Sequence, residues 1–247
     1  MKKILGLILL ATASMLLGQK VKSKAEGEAV TAIFQAQTAD QKIAAVEALV
    51  TKYKDTEFRS IALEIAAESA QSKGDAIGAI QYGERALEAN PKNFQAMLLI
   101  SGLLAQTTRE FDLDKDEKVK KANKLATDAI SIIASATKLD PKMSDDQWGA
   151  IQKDLTSQAH DTLGAIAVID KKWDVAIKEY NTSISEAATP DAVSMVRLTS
   201  AYNNAGKYNE ASATADKVIG MAGVPEAIKK VAQNEKARAE KGKAGAK

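Results

Sequence analysis

The chain has 247 residues, 45% hydrophobic and 27% charged, with 45 Ala, 14 Gly, 4 Pro, one His and no Cys, and a formal charge of +2. So much Ala beside so few turn-forming residues argues against a β-sandwich or barrel and for helices packed closely through small side chains. The absence of Cys excludes a disulfide framework, a thiolate nucleophile and cysteine-ligated clusters, and a single histidine, His160, excludes two-histidine metal motifs, so a protein that is not an enzyme and uses no metal or cofactor is expected.

Residues 1–18 read as an export signal, with Met1-Lys2-Lys3 as a short basic start and Ile4 to Gly18 as an apolar run. At about 1.5 Å per residue the run spans roughly 22 Å, short of a bilayer core of about 30 Å, which favours a cleaved signal peptide over a transmembrane helix. Cleavage is expected between residues 13 and 25. Ala11-Thr12-Ala13 obeys the small-x-small rule, whereas a cut near Gly18-Gln19 preserves a longer apolar region. Loss of Lys2 and Lys3 takes the formal charge from +2 to 0 and with it any global drive toward nucleic acid. Without Cys there is no lipid-anchoring motif. The expected location is therefore periplasmic or secreted, with a membrane-anchored form, the segment 4–18 left uncleaved, as the alternative.

In 26–59, Ala29, Ala32, Ile33 and Ala36 mark one helix face ahead of a Thr38-x-x-Gln41 capping box, and Ala45, Val46 and Leu49 mark a second. In 60–93, Leu63, Ala66, Ala67 and Ala70 recur at i, i+3, i+4 and i+7. A Gly74-Asp75 turn then leads to Ala79, Ile80, Gly83, Ala86 and Leu87, which end at Asn90-Pro91. The next unit, 94–141, starts with Met97, Ile100 and Leu104 on one face and is irregular.

Two long helical patterns flank Asp140-Pro141, from about Asp116 to Leu139 and from the Ser144-x-x-Gln147 box to Ile169. This extended hairpin, 116–169, is expected to project past its neighbours by roughly 15 Å. Its tip carries Ile132, Ile133, Leu139, Met143, Trp148 and Ile151. If these side chains pack on one another the arm is a stiff spacer. If Met143, Trp148 and Ile151 lie outward, they form a partner-binding or self-association surface. The alternating acids of 112–117 suggest a calcium loop, but Glu117 stands where such a loop needs Gly and Asn123 where it needs Glu. The acids then cap the helix that follows.

Downstream, 157–190 places Leu163, Gly164 and Ala167 before Lys172-Trp173-Asp174 and Ala176-Ile177-x-x-Tyr180. In 192–225, Leu198 and Tyr202 lead to Gly206-Lys207-Tyr208-Asn209-Glu210-Ala211. Residues 226–241 form an amphipathic helix with Ile228, Val231 and Ala232 on one side, read as a cap, and the basic end of 226–247 is expected to fray. His160 falls at a helix-packing position and is expected to be packed and hydrogen-bonded.

The 34-residue spacing, the Gly-Asp and Gly-Lys turns, the small-residue positions and the prolines Pro91, Pro141, Pro190 and Pro225 at unit ends together resemble the tetratricopeptide repeat. The chain departs from that pattern in lacking the Trp early in the first helix and in carrying Gly83 and Ala215 where aromatics are usual. The resemblance implies an all-α fold, an α-solenoid of about five stacked antiparallel helix pairs with a C-terminal capping helix. It also implies a partner-binding groove lined by the first helices at their second, fifth, ninth and twelfth positions. Here the expected groove residues are Val30, Phe34, Ile61, Glu64, Glu68, Gln71, Leu98, Asp161, Val196 and Asn203. Members that grip a free carboxylate carry Lys at the fifth position and Asn at the ninth. This chain has Val30, Glu64, Leu98, Asp161 and Val196, then Phe34, Glu68, Gly102, Ala165 and Ser200. A partner segment with apolar anchors and a basic residue fits that lining better.

The function expected is a non-catalytic interaction and scaffolding module of the cell envelope that binds another protein or peptide segment. The alternative is a membrane-tethered structural component that self-associates through the hairpin into a homo-oligomer.

Overall fold

A computed structural model describes residues 19–189 and 191–245. The expected signal segment and Pro190 lie outside the described residues. Every regular element among the described residues is a helix: α1 (Lys24–Gln35), α2 (Ala39–Lys52), α3 (Arg59–Ser72), α4 (Ala76–Ala89), α5 (Phe94–Thr107), α6 (Lys115–Ser135), α7 (Asp145–Ile169), α8 (Trp173–Glu186), α9 (Ala192–Asn204), α10 (Tyr208–Gly220) and α11 (Glu226–Gly245). They fall into two compact units, 19–103 with 131–149, and 104–130 with 150–245. No helix among the described residues is long and apolar enough to cross a membrane.

Local chemistry fixes the helix starts. Ser23 accepts from Glu26 N, Asp75 from Gly78 N, Asn93 from Ala96 N and Asp191 from Ser194 N. Both capping boxes expected from the sequence form. Thr38 and Gln41 exchange side-chain and backbone bonds, as do Ser144 and Gln147. Three helix ends share one device. Asp75 N donates to Ala70 O, Lys172 N to Ala167 O and Lys207 N to Tyr202 O, each at 2.9–3.0 Å, with Gly74, Lys171 and Gly206 in left-handed backbone between. This Schellman closure turns the chain sharply into the next helix, which lets the two helices of a pair lie antiparallel.

In the first unit, Val30 and Ile33 of α1, Val46, Leu49 and Val50 of α2, and Ile61, Leu63 and Ile65 of α3 form one core with Ala86 of α4 and Ala96 of α5. A smaller cluster joins Ala70, Ala79 and Leu103. In the second unit, Ala167, Ala176, Ile177, Tyr180, Leu198 and Ala201 pack together. Gly164 matters there because a Cβ at that position would sit 2.6 Å from the Tyr180 ring. The last cluster, Met195, Val218 and Ala232 with Ile228 against it, seats α11 on α9 and α10 as the expected cap.

Four expectations are corrected. Helix α6 stops at Ser135 rather than Leu139, because the Ala136 carbonyl takes the Trp148 indole N–H at 3.3 Å and Asp140 precedes a proline. The buried face of α1 is Glu26, Val30 and Ile33, while Ala32 is exposed. The C-terminal segment is helical to Gly245 instead of fraying from residue 242. Gly242, without a side chain, lies flat on Tyr208, where a Cβ would come within 2.3 Å of the ring. Val231 is 45% exposed, so the seating face of α11 is Ile228, Ala232 and Ala239.

Candidate functional site

A cavity of about 540 Å³ opens in the first unit where the chain before α1, the α2–α3 loop, the start of α3 and the α4–α5 loop meet. Its chemistry comes from Gln19, Asp55, Glu57, Arg59, Glu64 and Lys92. Asn93 organises the wall. Its Oδ1 caps α5 by accepting from Ala96 N at 2.9 Å, which aims its Nδ2 back at α3. That amide donates to Ser60 Oγ at 3.1 Å and to Glu64 Oε2 at 2.7 Å, while Ser60 donates to the Ala86 carbonyl at 2.9 Å.

Glu64 is 2% exposed. Burial in this low-dielectric wall, reinforced by the charge of Glu68, raises its carboxyl to about 8, against the opposing pull of the Asn93 hydrogen bond. Glu68, one turn along α3, is raised to about 7 by burial, with Lys42 pulling the other way. The two acids expected in the groove thus share one face, and each holds its proton far above the usual carboxylate range. Gln19 Oε1 and Glu64 Oε1 are buried without a hydrogen-bond partner. At the rim, Asp55 pairs with Lys22 Nζ at 2.5 Å, Glu57 accepts from Lys20 N at 2.9 Å, and Arg59 donates to the Val50 carbonyl at 3.1 Å.

The other expected groove residues are distributed differently. Val30, Ile61 and Leu98 are buried, the first two in the core shared by α1, α2 and α3. Ile61, at the start of α3, nonetheless lines the cavity beside Glu64. Phe34 and Gln71 are exposed at the far ends of their helices, and Val196 is half-buried. In the second unit, Asp161 accepts from Ser194 Oγ at 2.8 Å and pairs with Arg197. Burial nevertheless lifts its carboxyl above the usual range. Asn203 is buried and donates to the carbonyl of Glu235 at 2.9 Å and to its carboxylate at 2.8 Å, so it fastens α11 rather than lining an open groove. His160 Nδ1 lies 2.7 Å from Glu179 Oε2, the packed and hydrogen-bonded position expected.

Trp148 is 7% exposed and bonded to Ala136, so it is not an outward anchor, and Met143 and Ile151 are half-buried. Of the two readings of the hairpin tip, packing on itself holds for the tryptophan. In the 112–117 loop, Asp112 and Asp114 both turn to Lys118, at 3.2 and 2.8 Å, and Asp112 also accepts from Arg109 N. No cluster of acids and His among the described residues forms a metal-binding group.

The sequence reading missed Asn93, although an Asn directly before a helical run is a capping signal, and missed Gln19, for which no local signal exists. It also missed Phe111, 90% exposed beside exposed Leu113 in the α5–α6 loop.

No protein-family model and no curated protein matches the chain. Solved structures do. A thermophilic TPR protein of Thermus thermophilus matches with a TM-score of 0.56 and 14% identity, over 80% of this chain and 90% of that one. Weaker likenesses are an assembly chaperone of RpL4, Acl4, at TM-score 0.45 and 12% identity over 89% and 97%, and a tetratricopeptide repeat protein from Parabacteroides merdae at 0.44 and 16% over 90% and 93%. The first of these, set beside the three repeated Schellman turns and the consecutive helix pairs, shows that the chain has the all-α tetratricopeptide repeat fold.

Proposed function

We propose that the chain is a non-catalytic interaction module that is exported to the cell envelope and holds another protein there as a scaffold. The observation that carries this reading is the cavity at the start of α3, a preformed concavity with unspent hydrogen-bonding groups on a rigid helix-pair frame. The fold supports it, because stacked helix pairs present broad surfaces suited to a partner segment. The apolar run Ile4 to Gly18 behind Lys2-Lys3 supports export.

Site-specific photocrosslinking in the native cell tests the binding reading. A photoreactive residue at Asp55, on the cavity rim, is expected to capture one discrete protein, and the same group at exposed Ile77 is the control. Capture from Phe111 but not from Asp55 would move the binding surface to the α5–α6 loop, and capture from neither would sink the module. Amino-terminal sequencing of the protein from its native envelope tests export: a start between residues 13 and 25 is expected, and an intact Met1 in the membrane fraction would replace export with anchoring.

A further inference from the structure

We infer that two copies of this chain pair through the second unit, the α5–α6 loop of each laying Phe111 and Leu113 into a tryptophan-lined cavity of the other. The inference goes beyond the interaction-module reading and makes no use of the cavity at the start of α3.

The loop holds its apolar side chains out on a braced backbone. Phe111 is 90% exposed and Leu113 is fully exposed. Between them Asp112 turns inward, where it accepts from Arg109 N at 3.1 Å and from Lys118 Nζ at 3.2 Å, and Lys118 also reaches Asp114 at 2.8 Å. On either side Glu110 is tied to Lys171, and Lys115 lies 3.2 Å from Asp170. These bonds fix the loop before anything binds, so its two anchors meet a partner with little ordering cost. Single exposed apolar residues are ordinary, whereas a braced pair in full contact with water marks a contact surface.

A receptor lies beside this knob. From the α7–α8 turn a shallow cavity of about 450 Å³ runs past Trp173 and Val175 to the α9–α10 turn. Trp173 is half-buried and Val175 is 47% exposed, so an aromatic and a branched side chain stand open to an apolar visitor. Lys171 lines the cavity and holds Glu110 of the loop, which makes knob and cavity one continuous patch.

The polarity of that patch selects a second copy as the occupant. The loop carries Glu110, Asp112 and Asp114 against Arg109, and exposed Asp116 and Glu117 follow it. The cavity lining carries Lys171, Lys172 and Lys207 against Asp174. Ion pairs within one copy leave this separation in place. Lys171 is matched by Glu110 and Lys207 by Asp174, but Lys118 alone serves both Asp112 and Asp114, and Asp170 alone serves both Lys115 and Lys172. An apolar knob with acidic flanks beside an aromatic cavity with a basic rim is complementary to itself. A two-fold axis between them sets each knob on the opposite cavity and each excess of acid on the opposite excess of base.

Sedimentation of the full chain at rising concentration tests this. A monomer–dimer equilibrium is expected, with Trp173 emission moving to shorter wavelength as the dimer forms and Trp148, 7% exposed, contributing a constant signal. Phe111→Ser combined with Leu113→Ser, both outside the packed core, is expected to weaken the dimer about tenfold or more, and Lys172→Glu to weaken it also, whereas Ile77→Ser, exposed in the first unit, leaves it unchanged. The chain lacks Cys, so oxidising an equal mixture of Phe111→Cys and Val175→Cys proteins is expected to join unlike variants rather than like ones. A monomer at every concentration, a dimer indifferent to the loop variant, or disulfides only between like variants would overturn the inference. A monomer whose Phe111 captures a different protein in cells would overturn it too and give the loop to that partner, leaving the module reading intact.

Discussion

At the scale of single residues, Glu64 makes the sharpest claim. Its carboxyl is raised to about 8 and that of Glu68 to about 7, against about 4.3 in an unfolded chain. Between those values the folded chain holds protons that the unfolded chain has released. The stability these two acids contribute is therefore complete below about pH 4 and is lost as pH rises to 8. Glu64→Gln keeps the shape and the Asn93 contact but has no proton to lose. Urea unfolding between pH 5 and 8 is expected to show wild-type stability falling with pH, and the variant's slope to be shallower by up to one proton, about 1.4 kcal/mol per pH unit. His160 and Glu68 are common to both chains, so equal slopes would mean that Glu64 is already ionised in the fold. Two glycines of α7 give opposite signs under one substitution. Gly164→Ala drives a Cβ to 2.6 Å from the Tyr180 ring, which is 2% exposed and has no room to yield. Overpacking of about 1–3 kcal/mol then outweighs a helix-propensity gain of about 1 kcal/mol. Gly149→Ala meets nothing within 4 Å and is expected to stabilise by about 0.5–1 kcal/mol in the same assay.

At the scale of elements, the three Schellman turns differ in one residue that decides their strain. Gly74 and Gly206 take φ of 78° and 73° without penalty, but Lys171 holds φ 56° with a Cβ. Such backbone costs about 1–2 kcal/mol in a residue other than Gly. Lys171 is tied to Glu110 on the surface, and exposed pairs of that kind contribute under about 1 kcal/mol. Lys171→Gly is therefore expected to raise the unfolding free energy by about 0.5–1 kcal/mol, read by urea unfolding at neutral pH, and a loss would mean that the Glu110 pair outweighs the strain. The same comparison shows what was legible. Gly74-Asp75 and Gly206-Lys207 announced their turns in the sequence, and the capping boxes at Thr38 and Ser144 announced two helix starts. Lys171 announced nothing, because a lysine in left-handed backbone is imposed by the helices on either side. The end of α6 was illegible for a related reason: its periodicity continues to Leu139, and only the Trp148 indole, twelve residues along, takes the carbonyl that one more turn would use.

At the scale of the molecule, order and pairing of helices were readable because Ala, Leu and Ile recur at a fixed spacing, but depth was not. Val30 and Leu98, expected to line a groove, are interior, since how far neighbouring helices close over a position depends on every small residue along their contact. The candidate cavity was half-visible: Ile61 and Glu64 were picked out, whereas Gln19 and Asn93 reach it from segments distant in sequence. The C-terminal end shows the same limit in reverse. Helix α11 is so polar that its periodicity placed Val231 inside, yet it is seated by Ile228, Ala232 and Ala239. Around that narrow seam, Asn203 bonds to Glu235, Ser212 to Glu240, Lys236 to Asp216 and Arg238 to Asn204. A stack of helix pairs ends in an apolar face, and here the face is Met195 and Val218, covered by α11. If that cover is what keeps the end of the chain folded, a charge inside the seam must act on the whole molecule and a charge beside it must not. Ala232→Asp buries a carboxylate with no partner and is expected to cost about 3 kcal/mol or more, lower the thermal midpoint and raise binding of a hydrophobic dye as Met195 and Val218 come open. Val231→Asp, one residue away on the open side, is expected to stay within about 0.5 kcal/mol of wild type. Equal midpoints for the two variants would mean that the polar bonds, not the apolar seam, hold α11 in place.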